Sequence, residues 1–95
     1  RPAVVVQNDM GNKHAPTVII APVTSKNKKS NLPTHVKLTS HILERNSMVL
    51  LEQLKTVDKS RIDSYIGTLS DEEMKMIDKA LRISLAIGRY KKRSV

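Results

Sequence analysis

Two β-branched runs dominate the first quarter of this chain: Ala-Val-Val-Val-Gln at 3–7 and Thr-Val-Ile-Ile-Ala-Pro-Val-Thr at 17–24. Side chains branched at Cβ lose rotamer freedom in a helix and pack well on a pleated surface, so both runs are expected to be strands. Asn8, Asp9, Gly11 and Asn12 supply the turn chemistry between them. Pro22 has no N–H to give to a ladder, which places that end of the second strand at a sheet edge or a bulge. After a polar, basic loop at 25–31, Thr34 to Leu38 alternates with the period of a half-buried strand. Ser47 to Val57 reads as one longer strand, although a helix would also accommodate it.

The second half changes character. Asp58-Lys59-Ser60-Arg61 opens a stretch expected to form a short amphipathic helix ending at Gly67. Ser70-Asp71-Glu72-Glu73 is a capping box: the serine hydroxyl accepts from the amide three residues on, and Glu73 reaches back. The three acids also suit the positive end of the helix dipole. The helix is expected from Asp71 to Ile87, stopped by Gly88. At about 100° per residue, Met74, Ile77, Leu81 and Leu85 fall on one line and Met76, Ala80, Ile83 and Ile87 on another. That apolar arc is wider than the roughly 100° stripe needed to cover one sheet. The excess calls for a second surface, most simply another subunit. The order is β-rich and then helical, without βαβ alternation or internal repeats, which indicates a β-rich α+β fold: a small barrel or sheet with helices appended.

With 95 residues there is room for one domain, spanning 1–95, and one small core. Lys and Arg number 17 against 9 Asp and Glu, a net charge of +8 that favours a polyanionic partner. The absence of Cys excludes a disulfide framework, a thiol nucleophile and a thiolate metal site, and is compatible with a reducing cytoplasm. No run approaches the roughly 18 apolar residues of a spanning helix, so no membrane association is expected. Arg1-Pro2 leads straight into an apolar run, an abrupt start from which an N-terminally incomplete domain is expected. The basic tail at 89–95 reads as a solvated end or, alternatively, a phosphate clamp.

The histidines, His14, His35 and His41, have no acidic ligand in helical register, so no metal site is expected. His35 and His41 can be read as an acid and base pair for RNA cleavage, or as ordinary surface and strand-end residues. Gly11, Gly67 and Gly88 are isolated and form no phosphate-cradling loop. Tyr65 and Tyr90 are the only aromatic residues, too few for a base-stacking platform. Metal-free RNA cleavage needs little: a group to orient the 2′-hydroxyl and a cation for the charge developing on phosphorus. An arginine and a hydroxyl suffice.

Arg1-Pro2-Ala3-Val4-Val5-Val6-Gln7-Asn8-Asp9, Gly11-Asn12, Ala15-Pro16-Thr17-Val18, Leu32-Pro33-Thr34-His35-Val36, Leu50-Leu51-Glu52-Gln53-Leu54-Lys55-Thr56-Val57-Asp58 and Ile83-Ser84-Leu85 resemble successive blocks of the MazF/PemK toxin family, in the branch found in Gram-positive bacteria. The resemblance covers essentially the whole chain. It implies an SH3-like (CcdB/MazF-type) small barrel with a C-terminal helix, assembled as a homodimer. It further implies a cytoplasmic toxin of a type II toxin-antitoxin system, neutralised by a cognate MazE-like antitoxin and meeting DNA only through the antitoxin complex. The implied reaction is sequence-specific, metal-independent and cofactor-free cleavage of single-stranded RNA, in which 2′-hydroxyl attack leaves a 2′,3′-cyclic phosphate and a 5′-hydroxyl.

Residue by residue, the resemblance puts Arg1 and Thr24 at the catalytic positions, the first on the scissile phosphate and the second on a phosphate oxygen or the attacking hydroxyl. Leu32, Pro33, Thr34, Ser47 and Gln53 match positions that contact RNA bases or backbone, and Lys28 and Lys29 are candidate phosphate contacts. Their structural alternatives are a turn, a strand cap and solvated charges. The chain departs from the family pattern in three places: the strand and loop expected before Arg1, a shorter loop at 26–31, and Lys55 where close relatives carry Arg. Two other readings stand beside the nuclease: a non-catalytic RNA- or antitoxin-binding module, and a DNA-binding member of an autoregulatory complex.

Overall fold

The computed structural model describes residues 2–7, 13–25, 32–38 and 46–88. Five antiparallel strands, β1 (Ala3–Val5), β2 (Thr17–Thr24), β3 (His35–Leu38), β4 (Ser47–Leu50) and β5 (Lys55–Asp58), are followed by one helix, α1 (Asp71–Ser84). The strands run in the order β1-β2-β4-β3, with β5 also paired to β2. The result is an open, barrel-like sheet with a C-terminal helix.

The β-branched run at 17–24 is the strand on which the others assemble. Its first half pairs β5 (Val18 opposite Val57, Ile20 opposite Lys55) and its last two residues pair β4 (Val23 opposite Val49, Thr24 opposite Met48). Its other edge carries β1 from Val5–Ile20 to Ala3–Pro22. Pro22 is therefore central rather than at a sheet edge. The Val23 amide donates to the Pro2 carbonyl (3.2 Å) and the Val6 amide to Ile19 (3.0 Å), so the odd-numbered residues of β2 direct their backbone groups at β1. The missing N–H of Pro22 then falls on the opposite edge, in the gap between β5 and β4, where no ladder partner waits.

That gap explains a second difference. The single strand expected over 47–57 is two strands separated by a turn, closed by the Gln53 amide donating to the Leu50 carbonyl (3.2 Å). β4 is sandwiched between β2 and β3, while β5 continues along β2. One straight strand could not have served both ladders.

The helix expected at 58–67 is reduced to a 3-10 turn, Lys59–Arg61, and 62–70 has no regular element. Asp58 precedes that turn without a side-chain capping bond, and Ile62, Tyr65 and Ile66 lie exposed, so no packed face supports a helix. α1 starts as expected: the Glu73 amide donates to Ser70 Oγ (3.1 Å) and the Ser70 amide to Glu73 Oε1 (3.0 Å). It ends three residues earlier than expected. The Ile87 amide reaches the Arg82 carbonyl (2.9 Å), the Ala86 amide reaches Ile83 (3.2 Å), and Ala86 adopts φ 54°. This is a Schellman ending whose left-handed position is filled by alanine, ahead of Gly88.

The core joins Ala21, Val23, Val36, Leu38, Val49 and Leu51 of the sheet region to Ile77 and Ala80 of α1. Of the two apolar lines on the helix, Met74, Ile77 and Leu81 pack against the sheet. Met76, Ile83, Leu85 and Ile87 remain exposed, Ile87 at 57%.

Candidate functional site

Strand pairing decides which side chains share a face. Val23, Val49 and Val36 form one cross-strand row, and Leu38 stands opposite Ser47; all five are buried, so this face looks at the core. Side chains alternate along a strand, so Thr24, Met48 and Lys37 form the next row on the outer face. Thr24 is half-buried and Lys37 exposed, about 10 Å apart across Met48 by ordinary strand spacing. His35 and Leu50 form a pair further along the same outer face.

Of the sequence candidates, Thr24 therefore lies outward, whereas Ser47 lies on the core-facing side, 7% exposed. Leu32 and Pro33 are exposed at the start of a turn whose closing bond runs from the His35 amide to the Leu32 carbonyl (3.0 Å), with proline at the position where its fixed φ fits. Gln53 is exposed at the end of the turn that follows β4. Arg1, Lys28, Lys29, His41 and the tail at 89–95 lie outside the described residues.

The two turns are bonded to each other. The Leu51 amide donates to the Thr34 carbonyl (2.9 Å), Thr34 Oγ1 donates to Glu52 Oε1 (3.1 Å), and His35 Nε2 lies 2.9 Å from Glu52 Oε2. An ionised carboxylate only accepts, so the imidazole is the donor. Burial works to raise the Glu52 carboxyl, but the bonds from His35, its own backbone amide and Thr34, with the charge of His35, outweigh it and hold it below its ordinary value. His35 Nδ1 is buried and has no hydrogen-bond partner. The Thr34 hydroxyl is thus turned towards Glu52, while Leu32, Pro33 and Gln53 project from a braced rim.

Sequence reasoning missed Glu52 and Lys37. No local pattern links Glu52 to His35, 17 residues away. Lys37 had a signal: the alternation that buries Val36 and Leu38 sends residues 35 and 37 to the polar side. Thr24 and His35 are about 12 Å apart along the backbone by strand geometry. The Thr24 hydroxyl and the His35–Glu52 pair are therefore separate clusters, and the His35 side chain is only 5% exposed against 30% for Glu52.

Elsewhere, a groove of about 780 Å³ runs between β1 and the 61–69 segment, lined by Val4, Ile20, Val57, Ile62, Tyr65 and Leu69 among others. It does not include Thr24. Among the described residues, no three of His, Cys, Asp and Glu are grouped so as to hold a metal ion, and no helix is long and apolar enough to cross a membrane.

Comparison with known proteins gives the same architecture a family. The family described as PemK-like, MazF-like toxin of type II toxin-antitoxin system matches residues 1–85. The endoribonuclease EndoA of Bacillus subtilis is 47% identical over 89 residues, covering 92% of this chain and 77% of EndoA. Among solved structures, an endoribonuclease in complex with its cognate antitoxin from a Mycobacterial species superposes with a TM-score of 0.82 at 24% identity, over 92% of this chain and 82% of that one. A MazE-MazF complex from Deinococcus radiodurans does so with a TM-score of 0.77 at 25% identity, over 92% and 83%. The sheet topology and the C-terminal helix are thus those of a known toxin fold, and the chain belongs to the PemK-like, MazF-like toxin family of type II toxin-antitoxin systems.

Proposed function

We propose that this toxin is a sequence-specific endoribonuclease that cuts single-stranded RNA without a metal. The observation that carries the reading is the outward Thr24–Met48–Lys37 row beside a braced rim, in a chain 47% identical to an endoribonuclease. A hydroxyl and a cation on one exposed face are the groups that hold a phosphodiester.

In the proposed reaction the 2′-hydroxyl loses its proton and attacks the adjacent phosphorus. The P–O5′ bond breaks and the 5′-oxygen takes up a proton, which yields a 2′,3′-cyclic phosphate and a 5′-hydroxyl. Thr24 Oγ1 donates to a non-bridging phosphate oxygen or orients the nucleophile, and Arg1 neutralises the charge that develops on phosphorus. Support for pairing these two comes from their sequence neighbours: the amide of Val23, next to Thr24, donates to the carbonyl of Pro2, which follows Arg1 in sequence. Leu32, Pro33 and Gln53 select bases, with Thr34 acting through Glu52. Lys37, Lys28 and Lys29 hold flanking phosphates. Ser47, on the core side, supports the strand and reaches RNA only through its backbone.

The exposed Met76, Ile83, Leu85 and Ile87 are proposed as part of a homodimer interface. A MazE-like antitoxin neutralises the toxin, both act in the cytoplasm, and DNA is met only through the antitoxin complex. The test is incubation with a long unstructured RNA in EDTA, mapping new ends by chemistry and sequence. Discrete cuts with cyclic phosphate ends that vanish in both Arg1→Ala and Thr24→Ala are expected. RNA or antitoxin binding without any cut would instead favour the non-catalytic module.

A further inference from the structure

We infer that Ser84, the last residue of α1, is a positioning residue that sets base selection by clamping the turn that carries Gln53. This rests on the reading of Leu32, Pro33 and Gln53 as the RNA-selecting rim. The hydroxyl of Ser84 donates to the Leu51 carbonyl at 2.8 Å, a contact between residues 33 apart in sequence. Leu51 and Glu52 are the two central residues of the Leu50–Gln53 turn, so the bonded carbonyl belongs to its central peptide. That peptide is the soft joint of any such turn, because the two common turn types differ chiefly in which way it faces. Flipping it would force the second central residue, here Glu52, to positive φ. Among the described residues only Ala86 and Gly88 adopt such a φ.

Three side-chain bonds, beside the Leu51 amide's bond to the Thr34 carbonyl, therefore hold one turn from two directions. From β3 and its preceding turn, the Thr34 and His35 side chains hold the Glu52 carboxylate. From beneath, Ser84 holds the carbonyl just before Glu52. Leu51 is wholly buried and packs in the core with Ile77 and Ala80, so the turn rests on α1 by its side chain and by its backbone. Gln53 follows directly and is exposed. Without the serine hydroxyl, the Leu51–Glu52 peptide loses its hold on the helix, and the direction in which Gln53 presents its amide relative to Leu32 and Pro33 becomes looser. An amide that reads a base edge discriminates only when its orientation is held, so the loss falls on selectivity before it falls on chemistry.

Alanine is a better helix former than serine, so Ser84→Ala removes the bond without weakening the helix intrinsically. Ser84→Thr keeps the donor. The experiment compares kcat/KM on synthetic oligoribonucleotides bearing a mapped cleavage site and its single-base variants, alongside amide exchange of Gln53 and the melting temperature. In Ser84→Ala the ratio between preferred and altered sites is expected to fall at least tenfold, mainly through KM. Gln53 exchange should quicken, the cyclic phosphate ends should persist, and Ser84→Thr should restore the ratio. Lys79→Ala, an exposed change on the same helix, should leave the ratio unchanged. An unchanged ratio in Ser84→Ala, a loss equal on all RNAs and parallel to the melting temperature, or unchanged Gln53 exchange would each overturn the inference. If the wild-type protein cuts no RNA in these assays, the nuclease reading fails on its own account. Gln53 exchange then still decides whether the clamp exists.

Discussion

The two faces of the β2–β4–β3 sheet are made from alternating residues of the same three strands, yet they do opposite things. The inner row, Val23, Val49 and Val36, is buried beneath α1 and contributes only packing. The outer row, Thr24, Met48 and Lys37, contributes hydroxyl and charge where a polyanion can reach them. A one-residue slip of register would exchange the two sets, placing Lys37 in the core and valines in solvent. Core and site therefore constrain each other: the valines hold the threonine in place by occupying the positions between.

The comparison breaks most visibly from the inner side. Ile77, without exposed surface, fills the core between helix and sheet, and Ile77→Ala should cost about 2 to 5 kcal/mol of stability, read by denaturant unfolding. The protein that remains folded should keep its cleavage specificity. From the outer side, Thr24→Ala should lower kcat about 100- to 1,000-fold, the range for losing one aligned donor to a developing anion, with an unchanged unfolding midpoint. If Thr24→Ala also unfolded the protein, the separation between faces would be wrong. Lys37→Ala should act more mildly still. It should weaken RNA binding evenly across sequences and reduce the slope of log affinity against log salt by about 0.7 if it neutralises one phosphate of a single strand. An unchanged slope in titrations at several ionic strengths would remove Lys37 from the site. The smallest change touches neither face. Ala86 occupies the left-handed ending of α1, a position that suits glycine, so Ala86→Gly should stabilise by about 0.5 to 1 kcal/mol without altering cleavage.

The exposed line of α1 belongs to the same contrast. Ile77 and Ala80 satisfy the packing that the sheet demands, and Met76, Ile83, Leu85 and Ile87 remain exposed among the described residues. The expectation of an arc too wide for one sheet came from periodicity, and the burial pattern divides it differently from the two lines read there: Leu85 of the first is exposed and Ala80 of the second is buried.

Where local chemistry is strong, the sequence alone was sufficient. The β-branched run at 17–24 defines a strand with the bounds read from it, and Ser70 and Glu73 form both halves of the capping box. The successive blocks from Arg1 to Leu85, taken in register, pointed to the toxin family that the family match over residues 1–85 bears out. Non-local pairing was not legible. Pro22 looked like the mark of an edge or a bulge; it sits in a strand paired on both sides, at the break in the ladder where β5 gives way to β4. Ser47 looked like a contact on the site and faces the core, because its partner across the ladder is Leu38. Short-range periodicity states that a segment has two faces; which face meets water depends on strands distant in sequence. The bonds that brace the site, Glu52 to Thr34 and His35 and Leu51 to Ser84, join residues 17, 18 and 33 apart. Such bonds form only after the chain has closed the loops between them, so tertiary structure decided them and local propensity could not.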